Sequence, residues 1–241
     1  GRSGRAFIDW LASAGFTVWQ MLPFGPTGPD GSPYWVRSDF AGNPAFIDPT
    51  ELPDPGGGAF DDFANASHAW LEDFALFQVL SDRHAGAPWW DWPAADRDRD
   101  AHAVLRARHE MASQIHRVKL EQFAFAVQWR RLREYAHARG VALFGDLPFY
   151  VAPDSAETWT HRRQFQLDPL GRPTAVAGVP PDYFSATGQL WGNPLYDWEA
   201  MRHDGFRFWR ERVRHQLDRF DLLRLDHFRA LAAHWAVPAS A

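Results

Sequence analysis

Phe220-Asp221-Leu222-Leu223-Arg224-Leu225-Asp226-His227-Phe228-Arg229 is the stretch from which the fold can be read. Taken with a period of two, it puts Leu223, Leu225 and His227 on one face of a strand and Leu222, Arg224 and Asp226 on the other. An arginine and an aspartate therefore leave the end of an apolar strand side by side. Such a pair is costly to bury unless its members bind each other or a ligand. A plain strand-end ion pair and a catalytic pair both fit this decapeptide, and the rest of the chain has to decide between them.

Working backwards, Val141-Ala142-Leu143-Phe144-Gly145-Asp146-Leu147-Pro148 repeats the pattern of an apolar strand whose carboxyl end carries Asp, and Gly140 closes the helix before it. Leu195 to Phe220 reads as the helix that delivers the chain to the Asp226 strand, with Phe206, Trp209, Val213 and Leu217 on one face. Phe60 to His84 and Asp96 to Arg139 read as two further helices. The second has the apolar stripe Leu120, Phe123, Val127 and Leu132. At the start, Gly1 to Ala14 reads as an amphipathic helix with Phe7, Trp10, Leu11 and Ala14 on one face, followed by a strand from Phe16 to Leu22. Long loops occupy Pro23 to Pro55, Asp154 to Ser185 with a turn at Leu167 to Pro173, and Gly188 to Pro194. Helices alternate with strands, strands end in polar residues, and the long loops follow strands. That layout is a (β/α)8 barrel, a TIM barrel with its chemistry at the carboxyl-end face, of which three or four strands, about half, are present. The organisation expected is a barrel start with a substrate loop over 1–50, an inserted helical subdomain over 51–139, and a barrel continuation with further loops over 140–241.

Composition narrows the function. The 241 residues are 46% hydrophobic and 23% charged with a net charge of -5, which gives no electrostatic footprint for nucleic acid or an anionic membrane. No apolar run reaches the roughly 20 residues that span a bilayer. The absence of cysteine rules out disulfides and thiolate chemistry and fits a reducing, cytoplasmic setting. His109-Glu110 with His116 lacks the spacing of a zinc helix, so no metal is expected, and the Gly-rich stretch after Pro23 lacks the Gly-Lys-Ser/Thr of a phosphate loop. The 13 Trp, 19 Phe and 5 Tyr are in excess, and sugar rings present apolar faces that stack on aromatics.

The chain resembles the 4-α-glucanotransferase family, also called amylomaltase or disproportionating enzyme, of the α-amylase-like clan. The residues that carry the likeness are Trp19-Gln20-Met21-Leu22-Pro23 with Gly25-Pro26-Thr27-Gly28, Ser32-Pro33-Tyr34, Phe40-Ala41-Gly42-Asn43-Pro44, Gly145-Asp146-Leu147-Pro148, the sixteen residues from Val179 to Pro194, and Leu225-Asp226-His227-Phe228-Arg229. The resemblance implies retaining transfer of α-1,4-glucan segments between maltooligosaccharides, without cofactor. It implies Asp226 as nucleophile and Arg224 as the group that holds it ionised and oriented. Ser32, Tyr34, Asp146, Asp182 and Trp191 fall where the family contacts substrate, and Asn43, in the long loop after Pro23 with Ser32 and Tyr34, can offer hydrogen bonds to substrate hydroxyls. Trp35-Val36-Arg37 departs from the small polar residues common after that tyrosine.

Retaining glycosidases need a second carboxylic acid about 5–5.5 Å from the nucleophile. The resemblance places it on a Glu beyond Ala241, and also places a strand before Gly1, so an incomplete chain is expected, inactive by itself. Glu157, Glu199 and Glu211 sit in loop or helix contexts and are not assigned that role. An α-amylase-like retaining hydrolase and a catalytically inactive glucan-binding fragment remain as alternatives.

Overall fold

The computed structural model describes residues 1–183 and 185–240; Phe184, within the sixteen-residue run quoted above, and Ala241 lie outside the described residues. In chain order the elements are α1 (Arg2–Ser13), β1 (Val18–Gln20), α2 (Ala59–Ala66), α3 (His68–Arg83), α4 (Ala94–Arg97), α5 (Ala101–Glu110), α6 (Ala112–His137), β2 (Ala142–Leu147), α7 (Ala156–Thr160), β3 (Ala175–Val179), β4 (Gln189–Pro194), α8 (Trp198–His203), α9 (Arg207–Arg219), β5 (Leu222–Leu225) and β6 (Trp235–Pro238).

β1, β2 and β5 form a parallel sheet in that order. Phe144 stands opposite both Gln20 and Leu222, and Asp146 opposite Arg224. All three carboxyl ends therefore leave one edge of the sheet, and the two charged residues found by reading each strand separately become neighbours. β2 is the centre, with Leu143 and Leu147 fully buried. Gly145 is required there, since a Cβ would lie 2.3 Å from the ring of Phe220. α1 and α6 cover one side of this arc through Ile8, Leu11, Phe125 and Ala136, packed with Leu143 and Phe220.

Several elements differ from their sequence reading. The long second helix is three, α4, α5 and α6: Arg99 takes φ 57, and the Asp100 side chain then caps α5 by accepting from the backbone N–H groups of His102 and Ala103. The helix read from Phe60 to His84 breaks at Ser67, which turns α2 so that Phe60 and Phe63 reach Phe123 of α6. α8 and α9 are separated at Gly205 and Phe206, both with positive φ. In α9 the buried residues are Phe208, Trp209, Arg212 and Gln216, while Phe206 and Leu217 are exposed, because two polar side chains found partners inside. In α1, Ile8 and Leu11 are buried and Phe7 and Trp10 are exposed, stacked on each other at 5.5 Å. The loops read over 154–194 contain α7 and two strands. β4, β3 and β6 make a second, antiparallel sheet in that order. The turn at Leu167 to Pro173 is present: those two residues pair, and Asp168 Oδ1 accepts from the N–H groups of Leu170 and Arg172.

Candidate active site

The carboxyl edge of the parallel sheet carries a chain of polar contacts. Arg224 Nη1 donates to Asp146 Oδ2 at 2.7 Å, and Arg224 Nη2 donates to Asp226 Oδ1. Tyr34, from the loop after β1, donates its hydroxyl to Asp146 Oδ2 at 3.0 Å. The backbone N–H of Asp226 donates to Leu147 O at 3.1 Å, which fixes the start of the turn beyond β5. One guanidinium thus clamps two carboxylates of very different exposure: the Asp146 side chain is 1% accessible, that of Asp226 34%. Burial raises Asp146 above the usual carboxylate range, against the lowering effect of Tyr34 and Arg224. Asp226 Oδ1 is occupied by Arg224, and Oδ2 has no hydrogen-bond partner among the described residues.

Asp226 opens into a cleft of about 430 Å³ whose walls include Ser32, Tyr34, Trp35, Phe149, Tyr150, Trp191, Asn193 and His227. Its volume and mixture of rings with a few polar groups are those of a small-ligand site. Each wall is fixed by contacts behind it. Asn193 donates to Val151 O at 2.9 Å, tying β4 to the segment after β2. Trp191 donates its indole N–H to Gln189 Oε1 at 3.0 Å and meets the edge of His227 at 4.8 Å. His227 holds φ 48, a left-handed conformation that non-glycine residues adopt rarely and that recurs at functional sites. Its burial lowers the imidazole below its ordinary range, which favours the neutral ring. Behind the cleft, Arg212 is fully buried: its Nη2 lies 2.7 Å from Asp39 Oδ2 and 2.9 Å from Pro148 O, and its Nη1 reaches Phe149 O and the Tyr196 hydroxyl.

The residues singled out from sequence divide into three groups. Asp226, Ser32, Tyr34 and Trp191 line the cleft together. Arg224 and Asp146 support it from behind the strand ends, so Asp146 reaches the cleft through Tyr34 and Arg224. Asp182 and Asn43 are not among its walls. Asp182 is exposed and accepts from the Ser185 N–H at 2.9 Å, and Asn43 caps a short helical turn by accepting from the Ala45 N–H at 3.0 Å. Trp35, Tyr150, Asn193 and His227 were not singled out. The aromatic pair directly after β2, Phe149-Tyr150, was the signal available for one of them.

Glu157, Glu199 and Glu211 are not among the walls of the cleft. Glu157 is buried and accepts from the Ser38 hydroxyl at 2.6 Å, Glu211 pairs with Arg207 at 2.7 Å, and Glu199 lies in the first turn of α8. Among the described residues no group of His, Asp and Glu is arranged to hold a metal ion, and no helix is long and apolar enough to cross a membrane.

The family model described as 4-alpha-glucanotransferase matches residues 1–56 and 54–241, which together cover the chain. The chain belongs to the 4-alpha-glucanotransferase family. A member from Thermus thermophilus is 41% identical over 100% of this chain and 56% of its own length, and one from Aquifex aeolicus 38% over 99% and 57%. Among solved structures, an amylomaltase from Streptococcus agalactiae in complex with acarbose superposes with a TM-score of 0.92 at 29% identity, covering 100% of this chain and 58% of that one. An amylomaltase from Corynebacterium glutamicum, at 15% identity and a TM-score of 0.80, shares the fold. The parallel arc β1-β2-β5 is accordingly part of the (β/α)8 barrel of the family, and β4-β3-β6 is a separate sheet. The chain spans about half the length of the family members it matches.

Proposed function

We propose that a protein carrying this chain transfers α-1,4-glucan segments between maltooligosaccharides through a covalent glycosyl intermediate on Asp226. The observation that supports this best is the clamp of Arg224 on Asp226 and Asp146, opening into an aromatic-walled cleft on the carboxyl edge of a parallel sheet. A carboxylate used as a nucleophile has to stay anionic and keep one oxygen available. Arg224 supplies the charge and occupies Oδ1, which leaves Oδ2 for attack.

In the first half-reaction Oδ2 bonds to the anomeric carbon as the glycosidic C–O bond breaks, and the departing oxygen takes a proton from a second acid. In the second half, the hydroxyl of an acceptor glucan attacks the same carbon, loses its proton to that group, and frees Asp226. Two inversions give retention. Among the described residues that line the cleft, Asp226 is the one acid, and Glu157, Glu199 and Glu211 are not assigned the role of proton donor. Trp191 offers a face for a glucose ring, and Tyr34 and Ser32 offer hydroxyls to its hydroxyl groups. A cytoplasmic location and a role in carbohydrate metabolism belong to the same proposal, the first resting on the cysteine-free composition and the second on the family.

Incubation with maltotriose tests it, using this chain and a longer protein that contains it. Glucose together with a ladder of longer oligosaccharides from the longer protein is the expected result. Glucose and maltose alone would mean that water is the acceptor and that the transferase reading is wrong.

A further inference from the structure

The cleft carries a second indole, Trp35, contributed by the loop after β1. Trp35 sits on a small hairpin in which Thr27 and Val36 pair antiparallel. Its backbone is pinned on both sides: Gly28 N–H donates to Trp35 O at 3.0 Å, and Trp35 N–H donates to Ser32 O at 3.2 Å. The side chain crosses to the neighbouring element. A Cβ on Gly192 would stand 3.4 Å from Cζ2 and 3.6 Å from Cη2 of the indole, so the outer edge of the ring lies against β4 one residue beyond Trp191. Trp35 is half-buried, and its indole N–H has no hydrogen-bond partner among the described residues. Trp191 is oriented independently, by Gln189 and His227.

Two rings from different elements therefore line one cleft with Asp226, each fixed before any ligand arrives. Rigid aromatic surfaces with a donor at one edge bind ligands that are apolar on the face and polar on the rim, as a pyranose is. Building on the glucan reading above, we propose that Trp35 is a second stacking platform for a glucosyl ring, and that with Trp191 it sets the chain length the cleft prefers. A disaccharide engages one platform; a longer maltooligosaccharide engages both.

The test is calorimetric titration of the chain with maltose, maltotriose, maltotetraose and maltopentaose, comparing the parent with Trp35→Ala and Trp35→Phe. In the parent, affinity rises with length. Trp35→Ala is expected to weaken the longest ligand about ten-fold while changing maltose by less than about two-fold, which flattens the length dependence, and Trp35→Phe restores most of it. A packing role alone would lower thermal stability and leave the length dependence intact, so equal losses for all ligands, or none, overturn the proposal. Should Trp35→Ala fail to fold, Trp35→Leu, which fills space without an aromatic face, is read in its place: a loss confined to the longer ligands upholds the proposal, and equal losses for all ligands, or none, overturn it. A folded parent that binds no maltooligosaccharide would sink the glucan reading itself, and this inference with it.

Discussion

Replacing Arg212 by methionine probes the support behind the cleft. Its guanidinium is 0% accessible and faces Asp39, whose side chain is 4% accessible, at 2.7 Å. Methionine retains most of the apolar stem but removes the charge. Asp39 is then a buried carboxylate without its cation, and Pro148 O loses its donor at 2.9 Å, whereas Phe149 O keeps the Tyr196 hydroxyl at 2.6 Å. Breaking a buried pair from one side costs about 3–5 kcal/mol. That is a large part of the roughly 5–15 kcal/mol that holds a typical domain together. The assay is urea unfolding followed by tryptophan fluorescence and circular dichroism. With a slope near the upper end of about 1–3 kcal/mol per molar urea, the midpoint should fall by about 1–2 M with the slope unchanged. Adding Asp39→Asn should recover part of the loss, because no unpaired charge is then left inside. A loss below about 1 kcal/mol, or a double variant whose losses simply add, would refute the claim that this pair is coupled.

Two other expectations concern the same region. Burial pushes Glu157, from an ordinary value of 4.5, up to about 8. A folded value above the unfolded one means that its contribution to stability is fully present below about pH 4.5 and is lost as pH rises through about 8, at up to about 1.4 kcal/mol per unit. Glu157→Gln should flatten the pH dependence of the urea midpoint between pH 5 and 8, and an unchanged slope would assign it to other groups. Gly42→Ala places a Cβ 2.1 Å from the Phe125 ring, in a segment that Gln122 grips at both its N–H and its C=O. Overpacking of this kind costs about 1–3 kcal/mol, read as a lowered melting temperature, and a variant as stable as the parent would show that Phe125 can move aside.

The parts of the structure legible in sequence are those whose signal is local. The apolar runs before Asp146 and Asp226 identify two strands, and their polar ends identify the edge where the site lies. That Asp146 and Arg224 share one register position could not be read, because it depends on pairing between strands far apart in the chain. β3 and β4 were hidden by Gly178, Gly188, Gly192 and Pro194, residues that punctuate loops in most sequences and here serve close strand approach and the turn between strands. Arg212 is not among Phe206, Trp209, Val213 and Leu217, the positions that the helical period puts on one face. Only the carboxylate of Asp39 and the carbonyls after β2 explain why it points inward. Asn43 sits in a motif of the family, yet its side chain serves a local cap, so motif membership and a place in the cleft are separate properties. Trp35 and Tyr150 were single aromatic residues among many, and what sets them apart is the wall they share.

The most direct measurement of the central claim is to expose the chain to a fluorinated α-glucosyl fluoride and map the adduct by mass spectrometry of peptides. Fluoride departs with little help from a protonating acid, so attack by Asp226 can be observed wherever that acid resides. A glycosyl mass increment on the peptide carrying Asp226, absent after Asp226→Asn, is the predicted result. An increment on another residue, or an equal one in the Asp226→Asn variant, would contradict the account.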